Sequence, residues 1–424
     1  MSDLPQFAFV NCPLTTQPSV DVESCVSFEM KKLLAEDDFK AGQSVAVAVG
    51  SRGIASLSDV VSTIIQELKQ RKLNPFIIPA MGSHGGATSE GQKKVLNSLG
   101  IFADNLEVDF HAEMETECLG ETSDDVPVHF SKAALSANHV LLCNRIKPHT
   151  NFSGSIQSGL QKMLTIGLGK ATGAAAYHQA SHHIPFDKMI RESVDLIKKN
   201  VSLMGGIALL ENAHKELCHI EAIPCSCLAK REPELLQQAE GLIPRLPMKN
   251  IDLLIIDEIG KEISGTGFDT NVVGRKYNDH VSDARDWCQT RFIHVRGLTK
   301  KTAGNATGIG IAEFCTKSAI EQIIWPTTIV NAITAGHPTS AMCPVAYQTD
   351  REVLEAVIRM LGEQAKIVQI KNTLQPNRLL VSQSCLEELK QNFPSAQISA
   401  LSPIKLTPQG NLANITERND SALT

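Results

Sequence analysis

The feature that most constrains this chain is a unit that recurs along it: an apolar run of strand type, a glycine-rich turn, then a helical pattern. SVAVAV (residues 44–49) leads into Gly50-Ser51-Arg52-Gly53 and an amphipathic stretch over residues 56–71. NPFIIPA (74–80) leads into Gly82-Ser83-His84-Gly85-Gly86 and a helix opening near Thr88, with Thr88 or Ser89 as its cap. HVLLC (139–143) leads into a long loop and helix over residues 144–169. Strands alternating with helices predict an α/β fold with a parallel sheet. In such sheets ligands bind beyond the carboxyl ends of the strands, where Arg52, His84 and His149 all fall.

At 424 residues the chain exceeds one simple core, so two domains are expected. A helix over 186–199 and strands over 206–210 and 216–223 precede Pro244-Arg245-Leu246-Pro247, after which a new apolar strand begins at 251–257. The boundary is placed there, giving domains of residues 1–247 and 248–424 with a ligand cleft between them. The second is expected to be Rossmann-like, with a strand at 292–295 and a helix over 311–322. The tail beyond about residue 406 is expected to return to the first domain or fray. Gly265-Thr266-Gly267 resembles a phosphate loop but lacks the lysine of a P-loop.

Aromatic residues are only 4% of the chain and the net charge is −6, which argues against nucleic-acid binding. The N-terminus lacks a secretory pattern, and no apolar run approaches the ~20 residues that span a bilayer. The eleven cysteines are scattered, and Cys225-Ser226-Cys227 lacks zinc-knuckle spacing. These features predict free thiols and a soluble cytoplasmic protein.

Residues 144–178 gather the chemistry. Two histidines facing one carbon can act as acid and base on opposite sides, since each exchanges protons near neutral pH. A histidine on a loop more often just bonds the local backbone, but His84 and His149 sit at equivalent strand ends. Lys162 lies among Leu160, Met163 and Leu164, where a lysine can lose its proton and act as a nucleophile or covalent tether. His178 follows sixteen residues later on a small-residue helix. His178 and His182 form an i, i+4 pair able to bind a metal, without the glutamate of a zinc-protease motif. Arg52 and Lys147 are natural anion clamps.

These motifs resemble the nickel-pincer lactate racemase family and its hydroxyacid racemase and epimerase relatives, over most of the chain. Gly82-Ser83-His84, Pro148-His149 with Phe152-Ser153-Gly154, and Lys162 with His178 at its sixteen-residue interval carry the resemblance. It implies an isomerase with a tethered nickel-pincer nucleotide, a pyridinium thioamide/thiocarboxylate mononucleotide. Lys162 would be the tether, His178 the nickel ligand, and His84 and His149 the acid/base pair for reversible hydride transfer at a 2-hydroxy acid. Ser83, Gly85, Ser153 and Gly154 would line the cofactor, and Arg52 would hold the substrate carboxylate. Partners would be the hydroxy acid and the enzymes that synthesise the cofactor, with no nucleic acid and no membrane.

The departures are equally specific. Val49-Gly50-Ser51-Arg52-Gly53 lacks the acidic residue and proline of lactate-acting members, and Ser155-Ile156-Gln157-Ser158 lengthens the segment before Lys162. In the second domain Lys261, Asp269, Asn271 and Arg275 are the substrate-contact candidates. A larger or more polar hydroxy acid therefore fits at least as well as lactate. The rivals are a divalent-metal hydroxyacid dehydratase or lyase using His178 and His182, and a non-catalytic nucleotide- or anion-binding protein.

Overall fold

The structure, a computed structural model, describes residues 4–14, 16–35, 39–51, 53–150, 154–181, 183–275, 287–334 and 336–415. The chain divides into two compact units, one of residues 16–243 and one combining residues 1–15 with 244–424. The first fifteen residues thus join the second unit, because β1 (Gln6–Asn11) pairs antiparallel with β14 (Arg378–Ser382).

The unit of residues 16–243 is built on a five-stranded sheet among the described residues, in the order β3-β2-β6-β7-β8. These strands are β2 (Ser44–Val49), β3 (Asn74–Pro79), β6 (His139–Arg145), β7 (Leu203–Glu211) and β8 (Leu217–Pro224). All pairs are parallel except β7 with β8. The strand period of two sorts the side chains. Val45, Val47 and Val49 pack with the helices Val22–Ala35 and Leu57–Gln70. Ala46 and Ala48 face the opposite cluster, formed with Leu160, Leu164, Ile190 and Leu235. Helices cover both faces, so the strands are apolar throughout, as buried parallel strands are. A hairpin of β4 (Thr116–Glu121) and β5 (Pro127–Ser131) stands apart.

In the other unit the described residues form a nine-stranded sheet. Its parallel run orders β12 (Val345–Tyr347), β11 (Phe314–Thr316), β10 (Gln289–Val295), β9 (Asn250–Ile256) and β13 (Ile367–Ile370), before β14 and β1. The expected helix over 311–322 is instead a single turn at Ile309–Ile311, the strand β11 and a short helix, Lys317–Glu321. The Thr316 hydroxyl caps that helix by accepting the Ala319 N–H, and this stops the helix from extending backward. The described part of the tail, up to Ile415, stays within this unit as well: Leu412 and Ile415 are buried in its core.

Candidate active site

Strands β3, β2 and β6 are neighbours, so the loops leaving their carboxyl ends lie side by side. Ser51 leaves β2, His84 follows β3, and His149 follows β6. Glu211 at the end of β7 helps fix this edge by accepting the Ala55 amide at 2.9 Å while pairing with Arg145.

His84 is exposed at the head of a tight turn, Gly85–Ala87. Its Nδ1 meets the Ser51 hydroxyl at 2.5 Å, a bond that fixes the ring's orientation. Thr88 caps the following helix, Ser89–Ser98, by accepting the Gly91 N–H. Gly85 has φ +66°, and a Cβ there would lie 2.6 Å from the Gly91 carbonyl carbon, so only glycine closes the turn. His149 is half-buried, and its amide donates to Gln157 Oε1 at 2.8 Å. Lys147 forms a bridge with Ser158, which folds the longer loop back on itself.

Lys162 ends the turn Leu160–Lys162 and is half-buried, with its amine 5.6 Å from the centre of the Phe186 ring. The next turn, Met163–Gly167, is wound as a π-helix, with the Leu168 N–H bonding the Met163 carbonyl. Such bulges concentrate at functional sites. A Cβ on Gly167 would stand 2.7 Å from the Ala80 carbonyl oxygen, so glycine lets this turn touch the end of β3. Gly82 donates its N–H to the Gly167 carbonyl, tying the His84 loop to the lysine-bearing segment. His178 is exposed on the helix Lys170–Ala180, whose Gly173 and Ala174 are buried.

Sequence reasoning missed three contributors here: Ser51, the buried pair of Lys170 and Gln92, and Glu232. Glu232 is only 2% exposed, and its carboxylate accepts the Gln161 N–H at 3.0 Å, at the start of the segment that carries Lys162. Burial pushes its carboxyl up to about 7, against the pull of the Gln161 and Leu160 groups. One sign was available: Leu228, Glu232, Leu235, Leu236 and Ala239 follow a helical stripe, and only Glu232 is polar. Arg52, Ser153 and His182 lie outside the described residues. Ser83 is exposed beside His84, and Gly154 has φ +133°.

The second unit's candidates all make local contacts within that unit. Arg275 is 2% exposed, and its guanidinium bonds the Thr290 and Arg291 carbonyls and Glu313. That placement makes it an internal strut, not a substrate contact. Asp269 caps a short helix by accepting the Asn271 N–H. Gly265-Thr266-Gly267 is no open phosphate cradle, since the Gly267 N–H is taken by Ser264 and Thr266 packs against Gly308. Lys261 is half-buried and donates to the Gly265 carbonyl at 2.7 Å. A small cavity lined by Glu258, Arg296, Gln322 and Lys371 has its charges already paired with carboxylates.

All eleven cysteines are free thiols. Among the described residues no group of three or more His, Cys, Asp or Glu forms a metal cluster, and no helix is long and apolar enough to cross a membrane.

The fold defines a class first: this is an α/β protein similar to the lactate racemase apoprotein of Thermoanaerobacterium thermosaccharolyticum. That likeness covers 86% of this chain and 94% of that one, at TM-score 0.55 and 12% identity. A structure from Thermotoga maritima is also similar, over 66% of this chain and 72% of its own, at TM-score 0.47 and 15% identity. No curated protein matches the chain significantly. Residues 16–188 match the model of the lactate racemase N-terminal domain.

Proposed function

We propose that this chain is an isomerase that racemises or epimerises a 2-hydroxy acid, in the cytoplasm, with His84 and His149 as its acid/base pair. The observation that carries this reading is the convergence of three loops at one sheet edge, with Ser51 holding the His84 ring and Gly82 bonded to Gly167 just past Lys162.

The residues fit a covalently held nickel-pincer nucleotide. Lys162 supplies a half-buried amine beside an aromatic ring, and His178 supplies one exposed imidazole. One protein ligand suits a metal whose other ligands come from an organic group. When bound, that group would accept and return a hydride. With Nδ1 committed to Ser51, His84 exchanges its proton through Nε2, and His149 serves as its partner from the loop after β6. A base on each side of the 2-carbon is what inversion without a preferred hand requires. Arg52 binds the carboxylate. The first loop keeps its arginine but lacks the acidic residue and proline of lactate-acting members, which favours a hydroxy acid other than lactate.

The test is the intact mass and metal content of the protein co-expressed with the pincer-synthesis enzymes, against Lys162→Ala. An added mass with about one nickel, both lost in the variant, is expected. Single-enantiomer hydroxy acids then identify the substrate. Neither adduct nor nickel, where a known family member loads in the same cells, would overturn this reading and favour a lyase or a binding protein.

A further inference from the structure

Beneath the His84 loop lies a lysine that the proposed reaction does not use. Lys170 is 0% exposed, and its φ of +55° lies in the left-handed region that side-chain-bearing residues avoid. Its Nζ donates to the Pro79 carbonyl at 2.9 Å and to Gln92 Oε1 at 3.4 Å. Gln92 is 0% exposed as well. Its Nε2 donates to the Gly82 carbonyl at 2.9 Å and reaches the His84 carbonyl at 3.3 Å. Burial lowers the Lys170 amine to about 8, with Glu113 pulling the other way, so it still carries its full set of donors at neutral pH.

Burying a cation is costly, and a leucine or methionine would fill this space without the desolvation penalty while bearing the same backbone strain. What the polar pair adds is direction. One amine and one amide tie the end of β3, the Gly82 turn and the His84 backbone to the first residue of the helix that carries His178.

We propose that Lys170 is a positioning residue, which together with Gln92 clips the His84 loop to the helix Lys170–Ala180. The functional weight of the clip rests on the reading of His84 given above, but its structural part does not. Without the clip the loop opens locally, and the ring of His84 loses its register with the neighbouring loops.

The test uses the full chain as Lys170→Met, Gln92→Leu, the double variant and Gln92→Glu. Three quantities are read: amide hydrogen exchange over residues 80–92, the thermal midpoint, and turnover of the cofactor-loaded protein. In Lys170→Met, exchange over 82–88 should rise about tenfold or more. Its kcat should fall about a hundredfold with little change in KM. The double variant removes the amide oxygen left without a donor but also the donor to the Gly82 and His84 carbonyls, so exchange and kcat stay impaired. A fall in kcat at unchanged KM separates positioning from a loss of folded protein. Gln92→Glu keeps a partner for the amine but loses both donors to the loop, and it too should accelerate exchange. Wild-type exchange in any folded variant lacking the clip would overturn the proposal. If Lys170→Met fails to fold, Gln92→Glu decides. If the wild type itself shows no racemase activity, the functional reading fails, and the exchange data still judge the clip.

Discussion

Two sheet edges in this chain look alike in sequence and behave differently. At the carboxyl ends of β2, β3 and β6, the loops present Ser51, an exposed His84 and a half-buried His149. At the carboxyl ends of β9 and β10 stand Asp257 and Arg296, with His294 inside β10. There Arg296 pairs with both Asp257 and Asp350, and His294 Nε2 bonds Asp350 at 2.8 Å. The amides of Leu412 and Ile415 then cover the same two carboxylates, at 2.7 and 2.8 Å. Hydrogen bonds from His294 and the charge of Arg296 outweigh burial and hold Asp350 below the usual carboxylate range. Burial dominates at Asp257 and moves it the other way. A charged residue at a strand end is therefore material for a site only where the chain leaves it unsealed.

The sharpest way to break this contrast is to delete an imidazole from the open edge. His84→Ala and His149→Ala should each lower kcat by about 10²–10⁴-fold while moving the thermal midpoint little. Steady-state kinetics in both directions, on loaded protein, check this; a variant with wild-type kcat removes that residue from the chemistry. The sealed edge should respond oppositely. Asp350→Ala leaves Arg296 and His294 buried without their shared partner, which should cost about 3–5 kcal/mol in denaturant unfolding. Turnover per folded molecule should stay near wild type.

A smaller and pH-dependent effect belongs to Glu232. Its folded carboxyl titrates near 7, above its ordinary 4.5, so the native state holds a proton that the unfolded chain has released. Stability should therefore decline as pH rises from about 4.5 to 7 and level off above, by at most about 3 kcal/mol. Glu232→Gln should flatten that slope, as read by urea unfolding across the range. A slope shared by both proteins would assign the proton elsewhere.

Local pattern made much of this legible. SVAVAV is strand β2 at the expected limits, and the helix expected over 56–71 runs from Leu57 to Gln70. Where long-range pairing decides, pattern was silent. Nothing in QFAFVN says that β1 pairs with a strand near the far end of the chain. Residues 311–322 have the composition of a helix, but pairing of Phe314 and Cys315 with His294 and Val295 makes part of them a strand. In the candidate site, the histidines announced themselves by setting among glycines and hydroxyls. Lys170 and Gln92 did not, because their importance lies in carbonyl groups that have no side-chain signature.

The placement of β1 also bears on how the molecule is made. Among the described residues, residues 16–243 hold every strand of their own five-stranded sheet, so that sheet needs no pairing from the far end of the chain. Strand β1 must wait, since Phe7 finds its partner only at Ser382. Strand β1 is thus seated only once β14 has been made, which closes a very long loop. Until then an apolar strand stays unpaired on the nascent chain, and this part of the second sheet forms only when β1 and β14 are both available.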